Sequence, residues 1–272
     1  MPPDWTALDL ELSRWQDIGL ALPLWWRDDD AIAPTAALDQ LSALAQKLAL
    51  PVHLAVIPST AQPQLAACVS AHPELIPVVH GWAHINLAAA GEKKCEFPTH
   101  RPVEAALGDI EAGLARLQDL FGDRLEPIFV PPWNRIAADL LPWMAGAVFV
   151  PPWNRITADL LPWMAGAGFA ALSTFTPRTK AKAAPGLAQI NTHLDPIDWK
   201  GSRSLVAPDQ LITQVSRQLQ ARRLGTADNS EPYGILTHHL VHDTAIWEFT
   251  AALIARLMQG PAEVWQFDKR MI

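Results

Sequence analysis

Short apolar runs alternate with longer stretches of helical period along most of the chain. Runs of strand length are Leu22–Arg27, Val52–Ile57, Ile76–His80, Ile128–Pro131, Val148–Pro151, Phe169–Phe175, Leu187–Leu194 and Gly234–His238. Between them Thr35–Ala49, Pro63–Ala71, Val103–Phe121, Ala137–Ala145, Thr157–Ala165, Pro208–Arg223 and Thr244–Met258 read as helices. In Val103–Phe121 the apolar residues Ala106, Ile110, Leu114, Leu117 and Phe121 recur every three or four positions, which is one face of a helix. Alternation of this kind predicts an α/β fold on a parallel sheet, closed or open. Thr176–Pro185 and Gly225–Pro232 read as loops. No composition break marks a boundary, so residues 1–272 are expected to form a single domain.

One strand–turn–helix unit occurs twice. Phe129–Val148 reads FVPPWNRIAADLLPWMAGAV and Phe149–Gly168 reads FVPPWNRITADLLPWMAGAG. The copies differ only at Ala137 against Thr157 and Val148 against Gly168. Near-identity confined to 129–148 and 149–168 points to a tandem duplication rather than a repeat architecture. Each copy carries Pro-Pro-Trp-Asn-Arg at the end of its strand, so the chain holds two candidates for one role.

Composition narrows the partners. Half the residues are hydrophobic, enough for a sizeable core, and the formal net charge is −7. The absence of a basic stripe argues against nucleic acid. No apolar run approaches the roughly 20 residues of a membrane span. The acidic start, MPPDWTALDLELSRW, lacks the features of a signal peptide, so a cytoplasmic location is expected. Cys68 and Cys95 are too few for a disulfide framework and read as thiols. Twelve tryptophans against one tyrosine is an unusual ratio. Most are expected in the core and several along a groove.

Polar clusters sit where the predicted strands end, the place where sites form in parallel barrels and open sheets. Asp28-Asp29-Asp30 closes the first strand. Three adjacent carboxylates repel one another, and a divalent metal would relieve that cost; a helix N-cap needs only one Asp. His80-Gly81-Trp82-Ala83-His84 puts two histidines four apart on one turn, where both can reach one ion. Asp30 with His80 and His84 makes a set of three protein ligands with an open position, as in a catalytic zinc site. Asp195-Pro196-Ile197-Asp198-Trp199 sets two acids beside an aromatic, equally readable as a capped turn. Leu236-Thr237-His238-His239-Leu240-Val241-His242-Asp243 ends a strand in imidazoles that titrate near neutrality, although His242-Asp243 could also simply start the last helix.

These clusters, in this order, resemble the polysaccharide deacetylase family, the chitooligosaccharide-deacetylase homology domain among carbohydrate esterases. The resemblance runs from about Leu22 to Met258. Arg27-Asp28-Asp29-Asp30-Ala31 stands where the family has Thr-Phe-Asp-Asp-Gly, and His80 to His84 matches its His-x-x-x-His. Val130-Pro131-Pro132-Trp133, or its copy, stands for Arg-x-Pro-Tyr. Asp195 to Trp199 matches Asp-x-x-Asp-Trp, and Leu236 to His238 matches Leu-x-His. The chain is similar to a cytoplasmic bacterial subgroup with HGWAH, PPWNR and LTHHLVHD.

The resemblance implies a distorted (β/α) barrel, usually of seven strands, and metal-dependent removal of an N- or O-acetyl group. It implies Asp29 as general base, Asp30, His80 and His84 as ligands of one divalent ion, zinc by default, and His238 as general acid. Asp198 or Asp195 would orient His238. The extra acid Asp28 leaves the register of base and ligand open by one place. Val130 stands where the family has Arg, and Arg135 is expected to replace it in orienting the base, with Arg155 and Arg27 as alternatives. Trp82, Trp133, Asn134, Trp153, Trp199 and Leu236 are the expected substrate contacts. The expected substrate is a small or oligosaccharide N- or O-acetylated conjugate rather than a wall polymer.

In such a barrel the second copy of the duplicated unit would either add an eighth strand or be extruded. Closure couples strand number to tilt and stagger, which favours extrusion. Leu125-Glu126-Pro127 leads naturally into copy one, whereas Gly168 suits a helix end and favours the exit of copy two. A hybrid is one option, with the strand and Trp133 from copy one, the helix from copy two and the middle displaced; Trp133 is the expected wall of the site and Trp153 the close alternative. Two other functions fit the same residues: hydrolysis of a cyclic amide, and sugar binding by a protein whose catalysis the duplication has impaired.

Overall fold

The computed structural model describes residues 2–144 and 167–268. Its elements in chain order are α1 (Thr6–Asp17), β1 (Leu22–Ala31), α2 (Ala36–Leu48), β2 (Val52–Val56), α3 (Pro63–Ala71), β3 (Leu75–His80), α4 (Val103–Phe121), β4 (Ile128–Val130), α5 (Leu141–Met144), β5 (Ala171–Leu172), β6 (Lys182–Ala184), β7 (Leu187–Gln189), α6 (Pro208–Arg223), β8 (Tyr233–Thr237), α7 (Thr244–Gln259) and β9 (Ala262–Val264). Strand followed by helix recurs, as the hydrophobic pattern predicts.

The strands make a parallel ring. β8, β1, β2, β3, β4, β5 and β7 pair side by side in that order. The continuation of β7 returns to β8 through a parallel bridge, Leu194 to Ile235. His193 N donates to Gly234 O at 2.7 Å and Leu236 N to Leu194 O at 2.8 Å. These bonds close a seven-strand barrel. β6 adds an antiparallel edge to β7, and β9 pairs with the start of β1.

Side-chain alternation sorts β1 into two faces. Leu24 and Trp26 point outward into the large core between the sheet and the helices. Trp25 points inward and packs with Ala55, Val78, Ile128, Val130, Ala171 and Ile190, contributed by the neighbouring strands. Trp265 and Phe267, just after β9, cover this inner cluster. Burying a side chain of this size contributes on the order of 1.5–3 kcal/mol. The same alternation sends Arg27 and Asp29 into the barrel above Trp25. Asp28 faces outward, where Oδ1 lies 2.5 Å from His239 Nδ1 and Oδ2 accepts from Thr237 Oγ1 at 2.6 Å.

Helix ends follow local chemistry. Thr35 Oγ1 accepts from Leu38 N at the start of α2, and Asp243 Oδ1 from Ile246 N at the start of α7. The unit expected as a helix over Ala137–Ala145 is instead a 3₁₀ turn, Ala138–Leu140, running into α5. Pro142 has no N–H to give to the first turn, so that turn tightens. α1 was not expected, although Leu8, Leu12 and Trp15 carry a helical spacing and are buried. β6 falls inside the expected loop Thr176–Pro185.

The duplicated unit joins the barrel once between β3 and β5. β4, from copy one, pairs directly with β5, Ile128 to Ala171 and Phe129 to Leu172, so no strand lies between them. The chain comes back beside the point where α5 ends. Ala167 N donates to Trp143 O and Phe169 N to Met144 O, both at 2.9 Å. With one 20-residue unit left out of the count, these are the i→i−4 and i→i−5 bonds of a helix C-terminus. Gly168, at φ +81°, takes the left-handed position that such an end requires. Copy one therefore supplies strand, turn and helix as far as Met144, where the hybrid would have taken the helix from copy two, and copy two supplies the exit. The expected strand Val148–Pro151 and helix Thr157–Ala165 lie outside the described residues.

Candidate active site

At the carboxyl ends of the strands a cavity of about 890 Å³ opens, and Asp29, Asp30, His80, His84, Trp133 and His238 are among its lining residues. Backbone irregularity at the end of β1 separates the three acids. The β1–β2 register shifts between Asp28 and Ala31, and Asp30 has φ +77°. A non-glycine residue reaches that region at a cost of about 1–3 kcal/mol. In return its carboxylate swings toward the histidines.

Asp30 Oδ1 lies 3.1 Å from His80 Nε2 and 3.4 Å from His84 Nε2. One ligand atom from each of the three falls within 4.8 Å of the others. His80 Nδ1 sits 3.0 Å from Val130 O, and a carbonyl can only accept, so Nδ1 carries the hydrogen. His80 Nε2 then faces a carboxylate oxygen, and only a proton or a metal ion between them makes that contact favourable. Burial opposes the charged form of Asp30, but the hydrogen bond and charge of His80 outweigh it and hold the carboxyl well below its usual range. Burial also opposes His80⁺, and Asp30 with Asp29 raises its pKa regardless. His84 is lowered by burial and by the charge of His80. An ionised carboxylate and two imidazoles converging on one point fit a divalent cation.

Gly81, between β3 and the histidine turn, has φ +57°. A Cβ there would fall well inside contact distance of Glu96 Oε2 and 2.5 Å from Pro132 Cδ. Glu96 is buried and accepts from Trp82 N at 3.2 Å and Ala83 N at 2.7 Å, fixing the turn that carries His84. Sequence reasoning missed Glu96: it is a lone acid in Cys95-Glu96-Phe97, with no spacing to mark it.

Asp29 is held by an arginine, but not by Arg135. Arg27 Nε donates to Asp29 Oδ1 at 2.8 Å and Nη2 to Oδ2 at 2.9 Å. The same guanidinium reaches Ser173 Oγ at 2.7 Å and Asn134 Oδ1 at 2.8 Å. Arg135 is exposed at the cavity mouth and donates to Lys94 O. Two residues away on one strand, Arg27 shares a face with Asp29, and period-two alternation was the signal for it. Arg155 and Trp153 lie outside the described residues.

Trp133 and Asn134 both have left-handed backbone, φ +53° and +56°, in the tight turn that follows Pro131-Pro132. The turn sets the Trp133 ring 4.4 Å from that of His84. Across the cavity the His238 ring meets Trp199 edge-on at 4.7 Å. Leu236 lines the wall below. Trp82 does not join this set: it packs against the helix-side core. Trp5, Trp15, Trp25, Trp26 and Trp247 are buried in the core, and among the described residues Trp133 and Trp199 are the tryptophans that line the cavity.

Asp198 and Asp195 are the two acids expected to orient His238. Asp198 turns away and caps its own loop, accepting from Gly201 N at 3.0 Å and Ser202 N at 3.1 Å. Asp195 accepts from Ile197 N at 2.9 Å and from Trp199 Nε1 at 2.7 Å. Asp195 thus fixes the ring that packs on His238. Burial pushes the Asp195 carboxyl up, against the charge of His238.

No protein-family model matches the sequence, and no curated protein matches it. Solved structures do match. A T48 deacetylase solved with substrate is 14% identical and superposes with a TM-score of 0.50 over 92% of this chain and 90% of its own. A Mycobacterium smegmatis structure assigned as a polysaccharide deacetylase is 15% identical, with a TM-score of 0.51 over 82% of this chain and 72% of its own. The chain has the polysaccharide deacetylase fold. Its parallel barrel, with polar residues gathered at the strand ends, is the arrangement the sequence resemblance implies. No helix among the described residues is long and apolar enough to cross a membrane. Cys68 and Cys95 are free.

Proposed function

We propose that the chain is a member of the polysaccharide deacetylase family and a metal-dependent hydrolase that removes an acetyl group from an N- or O-acetylated sugar or small glycoconjugate. The observation that carries this reading is the convergence of Asp30, His80 and His84 on one point, with a second, arginine-held carboxylate, Asp29, lining the same cavity. One divalent ion, zinc by the chemistry of two imidazoles and a carboxylate, would be held by those three residues. Such an ion supplies Lewis acidity at an acyl oxygen and acidifies water.

The remaining steps belong to side chains. Asp29 takes the proton from the attacking water, and the Arg27 fork keeps its carboxylate aimed. His238, on the opposite wall, gives a proton to the departing amine or alcohol. Asp195 acts through Trp199 by fixing the ring against which His238 packs. Trp133 and Trp199 offer flat apolar faces to a sugar. Asn134 Nδ2 remains for substrate, since its Oδ1 is used by Arg27. The N–H of Asn134 is spent on Pro131 O, which leaves that of Trp133 as the donor of this turn for the developing oxyanion.

Release of acetate from an acetylated chromogenic sugar tests the proposal. Zinc-loaded protein should turn it over, a chelator should stop it, and added zinc should restore it. A protein that binds zinc and acetylated sugar without releasing acetate would instead be a binding protein. Ring opening of a cyclic amide in its place would keep the fold and change the substrate.

A further inference from the structure

The cavity mouth is positively charged in a chain whose formal net charge is −7. Lys94 and Arg135 line it on the Trp133 side, and Lys200 and Arg203 on the Trp199 side. Lys94 Nζ lies 5.8 Å from the Trp133 ring centre and the Arg203 guanidinium 5.1 Å from that of Trp199. All four cations are exposed. Among the described residues none of them is within ion-pair distance of a carboxylate.

The acids that line the same cavity have partners of their own, away from the four cations. Asp29 is engaged by Arg27, Asp30 by the two histidines, and Asp195 by Ile197 N and Trp199 Nε1. Uncompensated cations around one opening attract anions and raise their local concentration. The loop that carries two of them is specifically built. Asp198 ties it by accepting from Gly201 N and Ser202 N, and Arg203 N donates to Asp198 O at 2.9 Å. Arg203 itself has φ +57°, a backbone region that a long side chain occupies only at a cost. Glycine would fill that position without strain. An arginine there puts its charge over Trp199 instead.

We infer that the substrate carries an anionic group, a phosphate or a carboxylate, attached to the acetylated sugar and held at the mouth by Lys94, Arg135, Lys200 and Arg203. The inference rests on the hydrolase reading for the acetyl end and on the cation rim for the anionic end. Each tryptophan would carry a sugar face while its neighbouring cation meets the charge. The acid-capped loop at Asp198, whose carboxylate turns to Gly201 N and Ser202 N, then serves specificity rather than proton transfer.

The test compares zinc-loaded protein on N-acetylglucosamine, N-acetylmuramic acid and N-acetylglucosamine 1-phosphate. The two anionic sugars should exceed the neutral one in kcat/KM by roughly tenfold or more. Their ranking separates carboxylate from phosphate. The Lys200→Glu/Arg203→Glu variant should reduce the anionic-to-neutral ratio about tenfold, and 0.5 M salt should narrow it in the parent protein. Lys93→Glu reverses a single charge one residue from Lys94, outside the cavity lining, and should leave the ratio alone. Equal kcat/KM for neutral and anionic sugars, or a ratio indifferent to charge reversal, overturns the inference. Should no acetylated sugar be turned over, the hydrolase reading fails by itself. Calorimetric binding of N-acetylglucosamine 1-phosphate then decides the rim: binding lost in the double variant supports it, and binding no tighter than that of the neutral sugar overturns it.

Discussion

Arg27 grips Asp29 by two parallel hydrogen bonds, Nε to Oδ1 at 2.8 Å and Nη2 to Oδ2 at 2.9 Å, with both side chains buried. A lysine carries the charge but not the fork. Arg27→Lys should therefore lower kcat by about 10²-fold with little change in KM, as a base displaced by about an ångström does. Arg27→Met leaves an unpaired buried carboxylate and should cost about 3–5 kcal/mol of stability. Steady-state kinetics and denaturant unfolding check the two separately.

Gly81→Ala should damage the metal set without touching a ligand. Its φ of +57° already disfavours a side chain, and the new Cβ would run into the Glu96 carboxylate and the Pro132 ring. Something must move, and His80 and His84 flank the position. Metal affinity should fall about tenfold or more and stability by about 1–3 kcal/mol. Metal titration of the folded variant reads the first and thermal unfolding the second.

Acid should weaken the wall behind His238. Burial depresses His242 from its ordinary 6.5 to about 4, with the charges of His238 and His239 adding to the effect and Asp28 opposing it. His242 Nε2 also accepts from His238 N at 3.2 Å, which a protonated ring could not do. Between pH 6.5 and about 4 the unfolded chain binds the proton and the folded one resists it, so stability falls as pH falls through that window. Above pH 6.5 the contribution is fully present. His242→Gln should show a shallower decline across the same window in denaturant unfolding.

Removing one copy of the duplication should be tolerated. Ala167 N and Phe169 N already bond to Trp143 O and Met144 O as though one unit were absent. Deleting residues 147–166 keeps Ala145-Gly146 ahead of Ala167-Gly168 and preserves every one of those bonds. The shortened protein should fold with an undiminished Tm and retain turnover. In the full chain Trp133→Ala should lose most activity and Trp153→Ala little, because the described turn beside His84 is that of copy one.

Long elements were legible because their periodicity is long. Pro63–Ala71, Val103–Phe121 and Pro208–Arg223 are helices over the same residues that the pattern marked. Three-residue strands such as β6 and β9 carry too few positions to show a period. The cluster of Asp30, His80 and His84 was readable from the histidine spacing and the Asp triplet, since ligand spacing is local. Where each acid of the triplet points was not. That depends on strand alternation and on the irregular backbone at Asp30, which send Asp28 outward to His239 and Asp29 inward to Arg27. Asp198 and Trp82 misled for a similar reason. A motif fixes the order of residues, but a capped loop or a packed core decides where each side chain points.

The central claim is a division of labour between two adjacent carboxylates, and parallel measurement of zinc content and acetate release in Asp29→Asn and Asp30→Asn tests it most directly. Asp29→Asn should keep about one zinc per chain and lose turnover by about 10²-fold or more, whereas Asp30→Asn should lose the zinc itself. Zinc lost from Asp29→Asn and retained by Asp30→Asn would contradict the assignment and shift the register of base and ligand by one residue.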